Sequence, residues 1–249
     1  MTRKLHLPIL HMKPILTLIC VLFITGCAGV PTNKDLDAHR FSGDPEKFNR
    51  SIYQFNDKVD KSILKPISQG YVAIVPDPAR KGISNFFNNL LEINSLVNNI
   101  LQGDITGAGN NIARFLANIT VGILGLFDVA GKNGVKPDTE DFGQTMAVWG
   151  VPPGPFIVLP FLGPSSLRDA VGLIPYYLYT RPQSHVSEFE SGVAITVANV
   201  VNQRAKFLGA SELVDSQLDP YSFIRGTYEQ ARINAVFDDN PPEEEFDDF

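Results

Sequence analysis

Residues 83–101 read ISNFFNNLLEINSLVNNIL, and the placement of this stretch decides the fold. Ile83, Phe86, Phe87, Leu90, Leu91, Val97, Ile100 and Leu101 recur at helical spacing and make one wide apolar face. Asn85, Asn89, Glu92, Ser95 and Asn99 fall opposite. Residues 85–118 hold nine asparagines against three charges, Glu92, Asp104 and Arg114, whereas a water-facing helix usually carries Lys and Glu. Three placements suit such a run of uncharged amides. They make hydrogen bonds between helices in polar-poor surroundings, as membrane helices do; they give a wetted lining to a polar headgroup; or they are caps and turn residues of a soluble bundle.

Downstream, residues 115–127, FLANITVGILGLF, are nearly chargeless but only thirteen long and are broken by Asn118, Gly122 and Gly125. That is too short to span a bilayer, and it fits a position within one leaflet, with the glycines allowing close helix approach. Residues 149–169 read WGVPPGPFIVLPFLGPSSLRD. Eight of the fifteen residues from Gly150 to Pro164 are Pro or Gly, and no charge occurs between Asp141 and Arg168. Pro and Gly break regular structure, so an irregular apolar loop is expected here, lying against something amphipathic. Trp149, the only tryptophan, suits a headgroup-level position and suits core packing equally.

Asp-Pro recurs at 44–45, 77–78 and 219–220, where Asp caps free amides and Pro takes the first helical position. The first helix carries Phe48, Ile52, Phe55, Val59 and Ile63 on one stripe. Residues 189–208 (Phe189, Val193, Val197, Val200, Leu208) and 220–236 (Tyr221, Ile224, Tyr228, Ala231, Ala235) repeat the pattern. No alternating run is long enough to read as a strand, so the expected class is all-α.

The chain start sets the compartment. Arg3, Lys4 and Lys13 precede an apolar run ending Ile24-Thr25-Gly26-Cys27, which reads as a signal peptide over 1–26 closed by a lipobox. Cleavage before Cys27 and acylation there, palmitate being a typical chain, are expected. Cys20 lies inside the leader, so the mature chain has one thiol and forms no internal disulfide. Ala28 after the cysteine suits sorting to the outer membrane. Each buried methylene contributes about 0.8 kcal/mol, so several acyl chains anchor firmly. Residues 27–43 form a polar tether, 44–237 the helical domain, and 238–249 an acidic disordered tail that serves either solubility or docking.

Removing 26 of 249 residues leaves 223, and removing three basic residues from 21 leaves 18 against 27 acids, a net −9. Seven of those acids lie in 238–249, and a body so near neutral is a poor match for nucleic acid. There is no G-x-S-x-G elbow, no Walker A loop and no His/Cys/Asp cluster with metal spacing. The H-x4-D spacing of His39 and Asp44 falls in the tether, and Gly103, Gly107 and Gly109 read as a turn and a tight helix start. No catalytic residue, cofactor or metal is expected.

FNRSIYQFND (48–57), VPDPARKGISNFFNNL (75–90), LQGD (101–104), ARFLANITVGILGLFDVAG (113–131), EDFGQT (140–145), WGVPPGPFIVLPFLGPSSLRDAVG (149–172) and SQLDPYSFIRGTYEQ (216–230) resemble, in order, the MlaA/VacJ family of outer-membrane lipoproteins. Gln54 interrupts a Phe-Asn alternation seen in some members, Pro152 and Pro153 replace more flexible residues, and the acidic tail is short. The resemblance implies a ring-like assembly of amphipathic helices in one leaflet of the outer membrane, on its periplasmic side, with the Pro/Gly-rich loop beside a central amphipathic channel. It further implies removal of mislocalised phospholipid from the outer leaflet, delivery to a soluble periplasmic lipid carrier of an ABC transport pathway, and association with a trimeric porin. Under that reading Asn85, Asn89, Asn99, Trp149, Phe156, Ile157, Val158, Leu159, Phe161, Leu162, Arg168 and Asp169 belong to the lipid channel. Arg168 and Asp169 either pair to fix the end of the loop or act as an ordinary cap and surface pair. A porin-associated scaffold that moves no lipid and an envelope phospholipase are the competing classes.

Overall fold

The computed structural model describes residues 36–180 and 189–242, all within the unit Asn33–Phe249. The leader, Cys27 and residues 243–249 lie outside the described residues. Helix α1 (Glu46–Val59) runs through a wide π turn (Asp60–Leu64) into α2 (Lys65–Ile74). The π turn precedes Pro66, whose ring and missing N–H disturb the ladder one turn back, and widening that turn accommodates it. α3 (Asp77–Gln102) and α4 (Ile105–Thr120) form an antiparallel pair. Gly103 closes α3 in the left-handed region (φ 82), and Asp104 caps α4 by accepting from the Thr106 N–H.

A one-turn helix α5 (Val129–Lys132) and α6 (Phe142–Val148) lead to two short strands. β1 (Phe156–Leu159) pairs antiparallel with β2 (Gly163–Ser166), Phe156 facing Ser166 and Leu159 facing Gly163. α7 (Leu167–Pro175) follows with Ser166 as its cap and ends in a second π turn (Tyr176–Thr180). α8 (Phe189–Lys206), α9 (Leu208–Asp215) and α10 (Pro220–Val236) complete the described chain. The class is helical as expected, and no helix among the described residues is long and apolar enough to cross a membrane.

Three expectations are corrected in detail. The Pro/Gly-rich stretch is a β-hairpin, not an irregular loop. Pro164 is tolerated opposite Val158 because the Val158 N–H points away from β2, to Asn49 Oδ1 at 2.8 Å, so no donor is asked of the proline. Helices do begin beside each Asp-Pro, yet only Asp219 caps, accepting from Ser222 N–H. Asp44 instead takes the Tyr221 hydroxyl and the Asn49 amide, and Asp77 sits inside the first turn of α3, paired with Arg80. The end of the tether is part of the body. The Phe41 ring lies 5.3 Å from that of Phe156, its N–H donates to Glu229, and Gly43 O accepts from Phe156 N–H.

The burial pattern is reversed from that of a water-soluble protein. The main apolar cluster is small: Phe156, Val158 and Tyr221, with Phe41, Ile52, Tyr53 and Tyr228 against it. Meanwhile Asn89, Glu92, Ser95, Asn98, Asn99, Asn111, Arg114 and Asn118 are buried, and Ile93, Val97, Ile100, Ile105, Ile112 and Leu116 on the same two helices are exposed. The apolar stripe of α1 behaves likewise: Phe48, Phe55 and Ile63 are exposed, and the residue of α1 sealed inside is Asn49, at 0 % exposure. Residues 121–127 continue this outer surface with Val121, Ile123, Leu124, Leu126 and Phe127 exposed.

Candidate functional site

The buried amides brace helices. Glu92 accepts from Arg114 Nε at 2.7 Å and from Asn111 Nδ2 at 2.9 Å. Asn99 Nδ2 donates to Asn111 Oδ1 and Asp138 Oδ2. Asn118 Oδ1 takes the Ala130 N–H, and Asn94 Nδ2 donates to the Glu140 carbonyl. A buried ion pair so satisfied fixes geometry, since removing one partner would strand the other charge.

Beside this brace lies a cavity of about 390 Å³ between α3, residues 139–141 ahead of α6, the hairpin, α7 and α10. Leu91, Leu159, Leu162 and Leu173 form apolar parts of its wall, while Asn94, Ser95, Glu140, Asp141, Asp169 and Arg232 form polar ones. Arg232 links two carboxylates, Nη1 to Asp141 Oδ2 at 2.6 Å and Nη2 to Asp169 Oδ1 at 2.9 Å. Tyr228 donates its hydroxyl to Asp169 Oδ2, and Arg168 Nε lies 3.2 Å from Asp169 Oδ1. Burial alone would raise the Asp169 carboxyl, but the Arg232 and Arg168 charges and the Tyr228 and Ser166 bonds outweigh it, so its pKa is lowered. Arg232 stays protonated for the same reason in mirror image, its burial outweighed by Asp141 and Asp169. The cluster fits only because α6 and α7 touch through glycine: a Cβ on Gly143 would stand 2.5 Å from Asp169 Oδ1, and one on Gly172 would stand 2.7 Å from Gly143 N.

Glu140, at the same cavity, is pushed up to about 7, chiefly by burial and further by Asp238 and Asp138, against the Gln102 bond that lowers it. Asp138, Glu140 and Asp238 bring one carboxylate oxygen each within 4.8 Å of one another. That is a geometry a cation could use, although Gln102 Nε2 already donates to Glu140 Oε2 at 2.6 Å.

The hairpin is held to α1 by two asparagines. Asn49 Nδ2 donates to Phe156 O (2.9 Å) while its Oδ1 accepts from Val158 N–H (2.8 Å). Asn56 Nδ2 donates to Leu159 O (2.9 Å) while its Oδ1 accepts from Phe161 N–H (2.8 Å). Each carboxamide thus pairs with a carbonyl and the N–H two residues on, as a neighbouring strand would. The tip, Pro160-Phe161-Leu162, turns through Phe161 at φ 64, and Phe161 and Leu162 are exposed.

The residues assigned to a channel fall into separate places. Leu159, Leu162 and Asp169 line the cavity just described. Phe156 and Val158 belong to the apolar cluster, Ile157 is half-buried, and Phe161 meets the Phe55 ring edge-on at 5.2 Å. Arg168 is buried behind Asp169, with Nη1 donating to Val151 O at 3.3 Å. Asn85 donates to Leu126 O, Asn99 is a member of the brace, and Asn89 is buried against Gly125 with Oδ1 unpartnered. Trp149 Nε1 donates to Leu101 O at 3.1 Å. Sequence reasoning gave no site role to Asn49, Asn56 and Arg232, and read Tyr228 only as part of a helical stripe. The signal for the first two was present: Phe48-Asn49 and Phe55-Asn56 repeat at seven residues, two turns of one helix face.

A family model described as MlaA lipoprotein matches residues 43–235. The intermembrane phospholipid transport system lipoprotein MlaA of Escherichia coli K12 is 34 % identical over 212 residues, 83 % of this chain and 82 % of that protein. The same-named protein of Haemophilus influenzae is 31 % identical over 222 residues, 88 % of each. A chain solved in work on the structural basis for maintenance of bacterial outer membrane lipid asymmetry superposes with a TM-score of 0.67 at 36 % identity, covering 80 % of this chain and all of the other.

Proposed function

The chain belongs to the MlaA lipoprotein family, and from that premise we propose that it removes mislocalised phospholipid from the outer leaflet of an outer membrane and so maintains lipid asymmetry. The observation that carries this reading is the reversed burial, with Ile, Leu, Val and Phe outside and amides and ion pairs within. Such a body is at home in hydrocarbon, where apolar surface is solvated by lipid tails and polar groups must find partners internally. In this reading it lies in one leaflet on the periplasmic side, in keeping with described helices none of which is both long and apolar enough to cross, and Cys27 anchors it through acyl chains.

The passage runs beside the hairpin, over the wall formed by Leu159, Leu162, Asp169 and Arg232. A charged side chain at the centre of a membrane helix costs about 2.5 to 3.5 kcal/mol on insertion scales, and a charged headgroup crossing a bilayer meets a barrier of the same origin. A wall carrying Arg232 and Asp169 offers it hydrogen bonds, while Leu159 and Leu162 accept the tails. Of the other assigned residues, Asn85, Asn89, Asn99, Arg168 and Trp149 act by holding that wall in place, and Phe156, Ile157, Val158 and Phe161 by holding the hairpin. With no nucleotide-binding motif in the chain, flow follows the gradient set by a soluble periplasmic carrier serving an ABC transporter. A trimeric porin shares the site in the membrane.

Outer-leaflet phospholipid in a deletion strain complemented with variants tests this. Wild type clears it, and Leu159→Asp and Leu162→Asp, which put a charge on the apolar wall, leave it in place although the protein is made and anchored. Clearance by both charged variants would leave only a scaffold role. Cys27→Ala is expected to mislocalise the chain.

A further inference from the structure

The hairpin has a second cavity on its other face. A half-open cavity of about 320 Å³ lies between α1, the π turn, the start of α2, the hairpin, the end of α8, α9 and the start of α10, within the range of small-ligand cavities, roughly 300–1,000 Å³. Phe156 and Val158 line this side and Leu159 and Leu162 the other, with Pro164 contributing to both. The walls are apolar: Tyr53, Phe156, Tyr221 and Ile224 on one side, Phe207 and Val214 on the other.

Charge is confined to the end formed by the end of α1, the π turn, the start of α2 and the ends of α8 and α9, where Asp57, Asp60 and Asp215 meet Lys61, Lys65 and Arg204. Lys61 is satisfied by Asp57 at 3.0 Å and Asp215 at 2.9 Å. Arg204 and Lys65 are satisfied only in part. Arg204 gives Nε and Nη2 to Asp60 and Nη2 also to Ser211, but its Nη1 is buried without a partner. Lys65 Nζ stands 4.0 Å from Asp215 Oδ2, beyond hydrogen-bond distance. A buried guanidinium N–H lacking an acceptor is costly, so a small shift of Arg204 that brought Nη1 to an added anionic oxygen at this end of the cavity would be favourable.

We propose that this chamber binds a single acyl chain carrying an anionic head, phosphate or carboxylate, with the head at Arg204 and Lys65 and the chain along Tyr53, Phe207, Val214 and Ile224. The proposal rests on the lipid-handling reading for its class of ligand, and it assigns a holding site separate from the polar passage across the hairpin. The chamber suits one chain and not two, which makes a lysophospholipid or a free fatty acid the fitting occupant.

The test uses the full acylated chain in detergent with a photoreactive phenylalanine analogue at Phe207, or at Leu162 for the other cavity. 1-palmitoyl-lysophosphatidylglycerol and palmitate are offered in separate arms, and neutral monopalmitoylglycerol in a third. The expected result is an adduct at Phe207 with one or both anionic probes, the labelled arm naming the source. Monopalmitoylglycerol should label about ten-fold less, the ratio that roughly 1.4 kcal/mol of head-group contact carries. Ala210→Trp and Val214→Trp, which fill the chamber from α9, should each lower the Phe207 adduct about ten-fold and leave the Leu162 adduct unchanged. Equal labelling by the neutral probe, or adducts at Phe207 indifferent to both tryptophans, overturns the proposal. Absence of adducts at both positions overturns the lipid reading along with it, whereas labelling at Leu162 alone removes only the chamber.

Discussion

Asn49 shows how much structure one side chain can hold. Its carboxamide satisfies Phe156 O and Val158 N–H in a site closed to water, and each such group left unpaired costs about 1–3 kcal/mol. Asn49→Ala is therefore expected to destabilise the protein in detergent by about 3 kcal/mol, lowering the unfolding midpoint by about 6–12 °C for a domain of this size. Asn49→Asp should be no better, because a carboxylate keeps the acceptor and loses the donor beside Asp44. Glu140 is the residue with a pH consequence. An unfolded glutamate titrates near 4.5, and burial pushes this one up to about 7, so between those values the folded state keeps a proton that the unfolded chain has released. The Glu140 contribution to stability therefore falls as pH rises from 4.5 to 7. Glu140→Gln, which mimics the neutral acid, should be more stable than wild type at pH 8 by about 2–3 kcal/mol and equal to it near pH 4.5, as read by chemical unfolding at the two pH values. A constant difference across that range would show that Glu140 titrates normally.

Among the elements, the longer helices α1, α3, α8 and α10 were legible from spacing and the hairpin was not. Phe48, Ile52, Phe55, Val59 and Ile63 give a helix whichever way the stripe faces, because periodicity reports conformation and not surroundings. β1 and β2 are four residues each, too short for alternation to show, and their outer partners are side chains of α1 that no strand pattern announces. The turn after α4 was equally hidden. Ile123 (φ 52), Leu124 (φ 57) and Gly125 (φ 85) lie consecutively in the left-handed region, which costs an L-residue about 1–2 kcal/mol. The segment turns its apolar groups outward at that cost, and Gly125 lets it close on Asn89, where a Cβ would stand 2.9 Å from Asn89 Cβ. Ile123→Gly is expected to raise stability in detergent by about 1 kcal/mol while weakening the partition of the unacylated chain into phospholipid vesicles. Stronger partition by the glycine variant would mean that this turn does not face lipid.

At the scale of the whole molecule, the usual rule of substitution is inverted. Asn111→Leu, an apolar replacement at a fully buried position, strands Glu92 Oε2 and Asp138 O and takes one of the two acceptors from Asn99 Nδ2, and should cost about 3 kcal/mol or more. Leu116→Asp, a charge on an exposed position, should leave the fold intact in detergent and reduce membrane association, as measured by flotation with vesicles. In a water-soluble bundle the two would trade places. The asparagine-rich, charge-poor run from 85 to 118 already held this inversion, but a sequence alone left helix bracing, a wetted lining and ordinary caps open; distances decide for bracing at Asn99, Asn111 and Asn118. The same inversion has a calorimetric signature. Heat capacity rises on unfolding as apolar groups become hydrated, by about 12–15 cal/mol/K per residue in ordinary globular proteins. In detergent the apolar side chains that the fold leaves exposed stay covered whether the chain is folded or not, and what melting releases is largely amide and ion-pair contacts, so the step in heat capacity should be shallow and the enthalpy of unfolding nearly independent of temperature.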